Sequence, residues 1–149
     1  MVAHHRVLVA EDQASLRLLL TATLQRADLG VTTVADGHAA LEAARRDRPD
    51  LLLLDVGLPK LDGYDVCRRL KATPETANIT VVLVTARGQP QERATGLAAG
   101  ADDYLVKPFS PAQLLTAVRG WLGQTEASSV LAQDGLAAQP SSTPARRQP

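Results

Sequence analysis

The chain has 149 residues, 45% hydrophobic and 21% charged, enough for one domain with a real core. Sixteen Lys and Arg balance sixteen Asp and Glu, so no net basic field draws the chain as a whole to nucleic acid. The longest runs of Val, Ile and Leu are four residues, against the ~20 needed to span a bilayer. The first residues show no apolar signal segment, and Cys67 is the single cysteine, which fits a reducing, cytoplasmic setting.

Strand and helix patterns alternate five times. A first strand is expected over about Arg6 to Ala10. The following helix carries Leu16, Leu19, Leu20, Thr23, Leu24 and Ala27 at the spacing of one buried face, with Arg17, Thr21 and Gln25 opposite. Gly30 is read as its terminator. Val31 to Ala35 form strand 2, and Asp36 can cap an Ala-rich second helix that Pro49 stops. Strand 3 is Leu51 to Leu54. A Gly- and Pro-rich loop, Gly57 to Gly63, leads to helix 3 at about Tyr64 to Ala72.

Strand 4 spans about Ile79 to Val84. Helix 4, near Pro90 to Ala99, is weak: Gly96 is interior and Leu97 is its one large apolar residue, so it is expected to be the least firmly held. Strand 5 is about Asp103 to Val106. Ser110 as N-cap and Pro111 as first helical residue start helix 5, which buries Leu114, Leu115, Val118, Trp121 and Leu122. From Gln124 to Pro149 large apolar residues are few and Ala, Ser, Gln and Pro abound, so a domain over 5–123 is followed by a disordered tail or linker over 124–149.

Short apolar runs separated by helices imply a parallel sheet buried on both faces. The expected fold is α/β, a flavodoxin-like (βα)5 three-layer sandwich with a five-stranded parallel sheet of order 2-1-3-4-5. Residues that follow parallel strands gather along one edge, where ligands bind. Here they are Glu11-Asp12, Asp55, Thr85 and Lys107. Three carboxylates, a hydroxyl and an ammonium can hold a divalent metal and a phosphoryl group, and they offer a carboxylate nucleophile. Strand 2 serves as a control: at the sheet edge, it ends only in a helix-capping Asp36.

Together with the Leu58-Pro59 and Asp62-Gly63 loop, Thr85-Ala86, Gly100-Ala101-Asp102-Asp103-Tyr104 and Lys107-Pro108-Phe109, these residues resemble the receiver domain of bacterial two-component response regulators, of the single-domain, chemotaxis-regulator-like kind. The resemblance covers about Arg6 to Gly123. It implies that Asp55 takes a phosphoryl group from a sensor histidine kinase or phosphotransfer protein. It implies Mg²⁺ at Asp12, Asp55 and the Gly57 backbone carbonyl, with Glu11 acting through metal-bound water. Lys107 would pair with phosphoryl oxygens, Thr85 would hydrogen-bond them after transfer, and Tyr104 would change position between two states. It also implies a cis Lys107-Pro108 bond. Output would run through protein contacts of the helix 4, strand 5 and helix 5 face, which also serves homodimers, without direct nucleic-acid or membrane contact.

Charge supports that assignment. Glu11, Asp12 and Asp55 repel one another without a cation, and Mg²⁺ favours a few carboxylates plus waters. Mg²⁺ and Lys107 balance the three carboxylates. A phosphoryl group on Asp55 leaves an excess of about one negative charge, which donors such as the Thr85 hydroxyl must meet. Gly57 and Lys60 depart from the commonest family pattern. Gly57 has no side chain to shield the acyl phosphate, and Arg87 could oppose that effect. Lys60 stands where glycine is usual, with no consequence read from sequence.

Blander readings stand beside these. Asp12 could cap helix 1 as well as bind metal, Asp62-Gly63 reads as helix initiation, Asp102 and Asp103 as solvated, Cys67 and Trp121 as packing, and His4, His5, Arg45, Arg46, Arg48, Arg146 and Arg147 as solvated. Three rival functions are weighed. A phosphoaspartate phosphatase of haloacid dehalogenase type needs an acid two after the nucleophile, where Gly57 stands, so the chain is read as no enzyme. A flavodoxin needs a phosphate-cradling first loop, where Glu11-Asp12-Gln13 would repel phosphate. A phosphorylation-independent binding module has no need of the intact acidic site.

Overall fold

The computed structural model describes residues 5–86 and 90–123; the expectations for His4, Arg87 and the tail from Gln124 onward lie outside the described residues. The chain divides into two compact units, the first ending at Pro108 and the second beginning at Phe109.

The first unit holds β1 (Arg6–Ala10), α1 (Ala14–Gln25), β2 (Gly30–Val34), α2 (Gly37–Asp47), β3 (Leu51–Asp55), α3 (Gly63–Lys71), β4 (Thr80–Thr85), α4 (Pro90–Ala98) and β5 (Asp103–Val106). All neighbouring strands pair in parallel, in the order β2-β1-β3-β4-β5. The expected sheet order is therefore the observed one. Burial explains the Leu- and Val-rich strands. Leu8, Ala10, Leu52, Leu54, Val81 and Leu83 join one apolar cluster with Ala40, Leu41, Ala44, Val66, Cys67 and Leu70 of α2 and α3. The alternate residues Val7, Val9, Leu51, Leu53, Val82 and Val84 are just as buried on the opposite face. Each fully buried Leu or Val side chain stabilises by about 1.5–3 kcal/mol.

Helix starts follow the local chemistry. Asp36 caps α2, its Oδ1 accepting from the Ala39 N–H at 2.7 Å, and Asp62 caps α3, accepting from the Asp65 N–H at 3.0 Å. Lys107-Pro108 is cis.

Several details differ from the sequence reading. Asp12 does not cap α1; Gln13 occupies the N-cap and makes no side-chain cap bond. Gly30 does not end α1 but opens β2, and the left-handed turn between them is made by Asp28 at φ 64°. Of the expected buried face of α1, Leu20, Thr23 and Leu24 are buried, whereas Leu19 is 48% exposed. Asp102 is exposed, as expected of a solvated acid, but it is also anchored. It accepts from the Lys71 Nζ and from the Val81 N–H, both at 2.8 Å, and so ties α3 and β4 to the start of β5. Lys60 has φ 71°, a conformation glycine adopts without strain, and its Nζ lies 3.8 Å from Asp36 Oδ2.

In the second unit, α5 (Pro111–Leu122) begins with a full capping box. Ser110 Oγ accepts from the Gln113 N–H at 3.0 Å, and the Ser110 N–H donates to Gln113 Oε1 at 2.8 Å. Gly123 closes the helix at φ 64°. Leu114 and Val118 are buried, while Leu115, Trp121 and Leu122 are half-buried.

Candidate functional site

Strand register assembles the site. Ala10 pairs with Leu54, Asp55 with Val84, and Thr85 with Val106. Asp55 and Thr85, the last residues of β3 and β4, therefore emerge along one end of the sheet with Glu11, Asp12 and Lys107, which follow β1 and β5. β2 delivers no such residue there: its following Asp36 is engaged in capping α2.

Glu11, Asp12 and Asp55 each offer a carboxylate oxygen, and these oxygens lie within 4.8 Å of one another. The Lys107 ammonium sits between two of them, donating to Glu11 Oε1 at 3.0 Å and Asp55 Oδ2 at 3.5 Å. The other Asp55 oxygen accepts from the Gly57 N–H at 3.2 Å, and Glu11 Oε2 accepts from the Gln13 N–H at 3.0 Å. The Glu11 side chain is 2% exposed, whereas Asp12 is exposed. Burial pushes the Glu11 carboxyl above its ordinary value, and the Gln13 N–H and Lys107 only partly reverse this. For Lys107, burial opposes the charge, but the hydrogen bond to Glu11 and the charge of Asp55 outweigh it and the net shift is upward.

Three carboxylates against one ammonium leave an excess of two negative charges in a partly buried cluster. This all-oxygen donor set suits a hard divalent cation such as Mg²⁺, with the exposed Asp12 side leaving room for coordinated water. At position 57 an added Cβ would meet only Asp55 Oδ1, at 3.9 Å, so the space beside this carboxylate is open.

Thr85 and Tyr104 lie on the α4 side. The Thr85 hydroxyl donates to Glu92 Oε1 at 3.3 Å. The Tyr104 hydroxyl donates to the Glu92 main-chain carbonyl and accepts from the Gly96 N–H at 3.1 Å. Burial, then the neighbouring Tyr64, pushes the Tyr104 phenol up to about 12. Gly96 is required by this contact, because a Cβ there would fall 2.1 Å from the Tyr104 oxygen. Helix 4 is weak in sequence since its buried position has to be empty of side chain.

Two residues of this region escaped the sequence reading. Glu92 has the pattern of an ordinary acidic residue in a helix first turn, with nothing to mark its link to Thr85 seven residues earlier. Arg17, assigned to the solvent face, instead donates through Nη1 to the Glu11 carbonyl at 2.9 Å and the Asp12 carbonyl at 3.2 Å, holding the acidic loop in place.

A five-stranded parallel α/β unit with an acidic pocket at its strand ends and a lysine across it defines a narrow class. Residues 7–119 match the response regulator receiver domain family, and the chain belongs to that family. It is 42% identical over 117 residues to the phosphate regulon transcriptional regulatory protein PhoB of Rhizobium meliloti, covering 78% of this chain and 52% of PhoB. The chain spans about half the length of the curated relatives it matches. The chemotaxis response regulator CheY4 of Vibrio cholerae superposes with TM-score 0.77 at 32% identity, over 80% of this chain and all of that one. The receiver domain of the sensor histidine kinase PA1611 of Pseudomonas aeruginosa, with a magnesium ion in its active-site cleft, superposes with TM-score 0.75 at 35% identity, over 82% of this chain and all of that one. The chain is thus a flavodoxin-like receiver domain of the response regulators, a phosphorylation-switched signalling domain. Among the described residues, no helix is long and apolar enough to cross a membrane.

Proposed function

We propose that Asp55 is the phosphoacceptor, taking the phosphoryl group of a phosphohistidine in a Mg²⁺-dependent reaction. The observation that carries this reading is the position of the Asp55 carboxylate, held between the Lys107 ammonium and the Gly57 N–H and next to two further carboxylates. In the transfer, the histidine N–P bond breaks with its electron pair returning to the imidazole, and an O–P bond forms to an Asp55 oxygen. Mg²⁺ would be held by Asp12, Asp55 and the Gly57 carbonyl, with Glu11 acting through water, and would supply neutralising charge for the phosphoryl oxygens. Lys107 then contacts phosphoryl oxygens in place of Asp55 alone. Thr85 supplies the donor that the extra negative charge demands, and Tyr104 changes position with it. Output runs through protein contacts of α4, β5 and α5, which is also the face proposed for a homodimer.

PhoB is named for transcription, but these 149 residues carry no net positive charge, so we assign them protein contacts rather than direct contact with nucleic acid. The residue two after Asp55 is Gly57, which offers no general acid, so the site holds a phosphoryl group as a signal and is no turnover enzyme. The cytoplasm is the expected compartment. Intact-mass measurement after incubation with acetyl phosphate and Mg²⁺ tests the proposal. One phosphoryl group should be gained by the wild type and none by Asp55→Asn; no gain, or gain that survives the substitution, defeats it.

A further inference from the structure

Glu92 is bonded to both residues that the proposed switch requires to move. Its carboxylate accepts the Thr85 hydroxyl, and its main-chain carbonyl accepts the Tyr104 hydroxyl. It sits in the first turn of α4, a helix whose one buried residue is Gly96. The further contacts of Tyr104 with this helix are the Gly96 N–H bond and the Arg93 guanidinium, 5.8 Å from the ring centroid. Apolar packing contributes little to holding α4, so these polar links fix its place.

We propose that Glu92 is a positioning residue that holds the resting state and joins the movement of Thr85 to that of Tyr104. This inference rests on the phosphorylation of Asp55. A hydroxyl has one proton to donate. In the resting state the Thr85 proton serves the Glu92 carboxylate. A phosphoryl oxygen on Asp55 competes for that same proton, with about one extra negative charge to draw it. Once Thr85 turns, the Glu92 carboxylate has lost that donor and faces an anion of its own sign. Repulsion moves the first turn of α4 outward. The carbonyl that holds Tyr104 belongs to the same residue, so Tyr104 is released in the same event. Glu92 thus sets the resting population by differential contacts in the two states, as a two-state switch requires.

The test is a titration of the full chain with beryllofluoride, a mimic of the phosphoryl group, in saturating Mg²⁺, followed by ¹⁹F NMR of the bound species. Glu92→Gln keeps an acceptor oxygen and removes the charge; Glu92→Ala removes both and serves as the second variant. Wild type should bind, and Glu92→Gln should reach half-saturation at a beryllofluoride concentration about two- to tenfold lower, the equivalent of one net hydrogen bond. In a Thr85→Val background the same substitution should shift half-saturation less, since the link through the hydroxyl is gone and only the repulsion between the Glu92 charge and the anion remains. Amide exchange of residues 90–98 without beryllofluoride should be faster in Glu92→Gln than in wild type. Unchanged half-saturation, or an equal shift with and without the Thr85 hydroxyl, overturns the role of Glu92 while leaving the phosphoacceptor intact. A wild type that takes no beryllofluoride at Asp55 overturns the phosphoacceptor, and the role of Glu92 with it.

Discussion

Helices α3 and α4 have nine residues each and flank the same strand, β4, in sequence, yet they are held by opposite means. α3 buries Gly63, Val66, Cys67 and Leu70, is capped by Asp62, and ends in Arg68, Arg69 and Lys71, whose charges suit the helix dipole. α4 buries Gly96 alone and leaves its one large apolar residue, Leu97, 67% exposed. Among the described residues, the hydrogen bonds of Tyr104 and Thr85 are prominent in holding it. Apolar burial has no alternative partner inside a folded protein, so α3 has one position. A hydroxyl can exchange one acceptor for another at small net cost, so α4 can have two. The Asp55 carboxylate, the proposed phosphoacceptor, ends β3 on the α3 side of the site, and the Thr85 hydroxyl ends β4 on the α4 side.

The largest expected effect tests the apolar half of this contrast. Leu70→Ala should destabilise the protein by about 2–5 kcal/mol in urea unfolding, whereas Leu97→Ala in α4 should stay within about 0.5 kcal/mol. Comparable losses would break the contrast. Next comes the metal. At a hundredfold excess over its Kd, Mg²⁺ should stabilise the wild type by about 2.7 kcal/mol, seen as a rise in Tm, and Asp12→Asn should remove most of that rise. Exchange protection should increase around Asp55 and Gly57, with α4 unaffected.

Gly96→Ala sharpens the picture on the other side. The new methyl must displace the Tyr104 hydroxyl, and overpacking of this kind costs about 1–3 kcal/mol. The readout is Tyr104 itself, whose titration should fall from about 12 back toward 10.0 as the ring leaves its buried seat. The smallest effect concerns pH. The Glu11 carboxyl is raised in the folded state, so the folded protein holds its proton more tightly than the unfolded one. Ionised Glu11 then costs stability, a cost absent below the ordinary value of 4.5 and growing as pH rises above it. In metal-free unfolding, the stability of Glu11→Gln relative to wild type should therefore increase from pH 4.5 toward neutrality. A flat difference would show that Lys107 already compensates the buried charge in full.

The sheet order, the strand-end cluster and the caps at Asp36, Asp62 and Ser110 were legible in the sequence because each rests on short-range rules: apolar runs, register and N-cap chemistry. The misread features depend on long-range partners or on which of two similar residues takes a role. Leu19 has the right helical spacing to be buried, yet the face of α1 that is covered is narrower than the apolar stripe. Gly30 looked like a helix stop, but the left-handed position falls at Asp28, another residue type that tolerates it. Asp102 is exposed as read, but its anchoring role was not legible because its partners, Lys71 and the Val81 N–H, lie 31 and 21 residues away.

Two glycines press against the backbone of the loop that follows Asp55. A Cβ at Gly37 would fall 1.7 Å from the Leu61 carbonyl oxygen, and one at Gly63 would fall 2.6 Å from the Asp55 carbonyl oxygen. Their N–H groups close the same contacts, Gly37 to the Pro59 carbonyl and Gly63 to the Val56 carbonyl, both at 3.1 Å. The segment from Asp55 to Gly63 is thereby closed on itself where Gly63 meets Val56 and held along its middle where Gly37 meets Pro59. Part of its ordering entropy is therefore lost when the chain folds, which lowers the cost of ordering it around a bound ion.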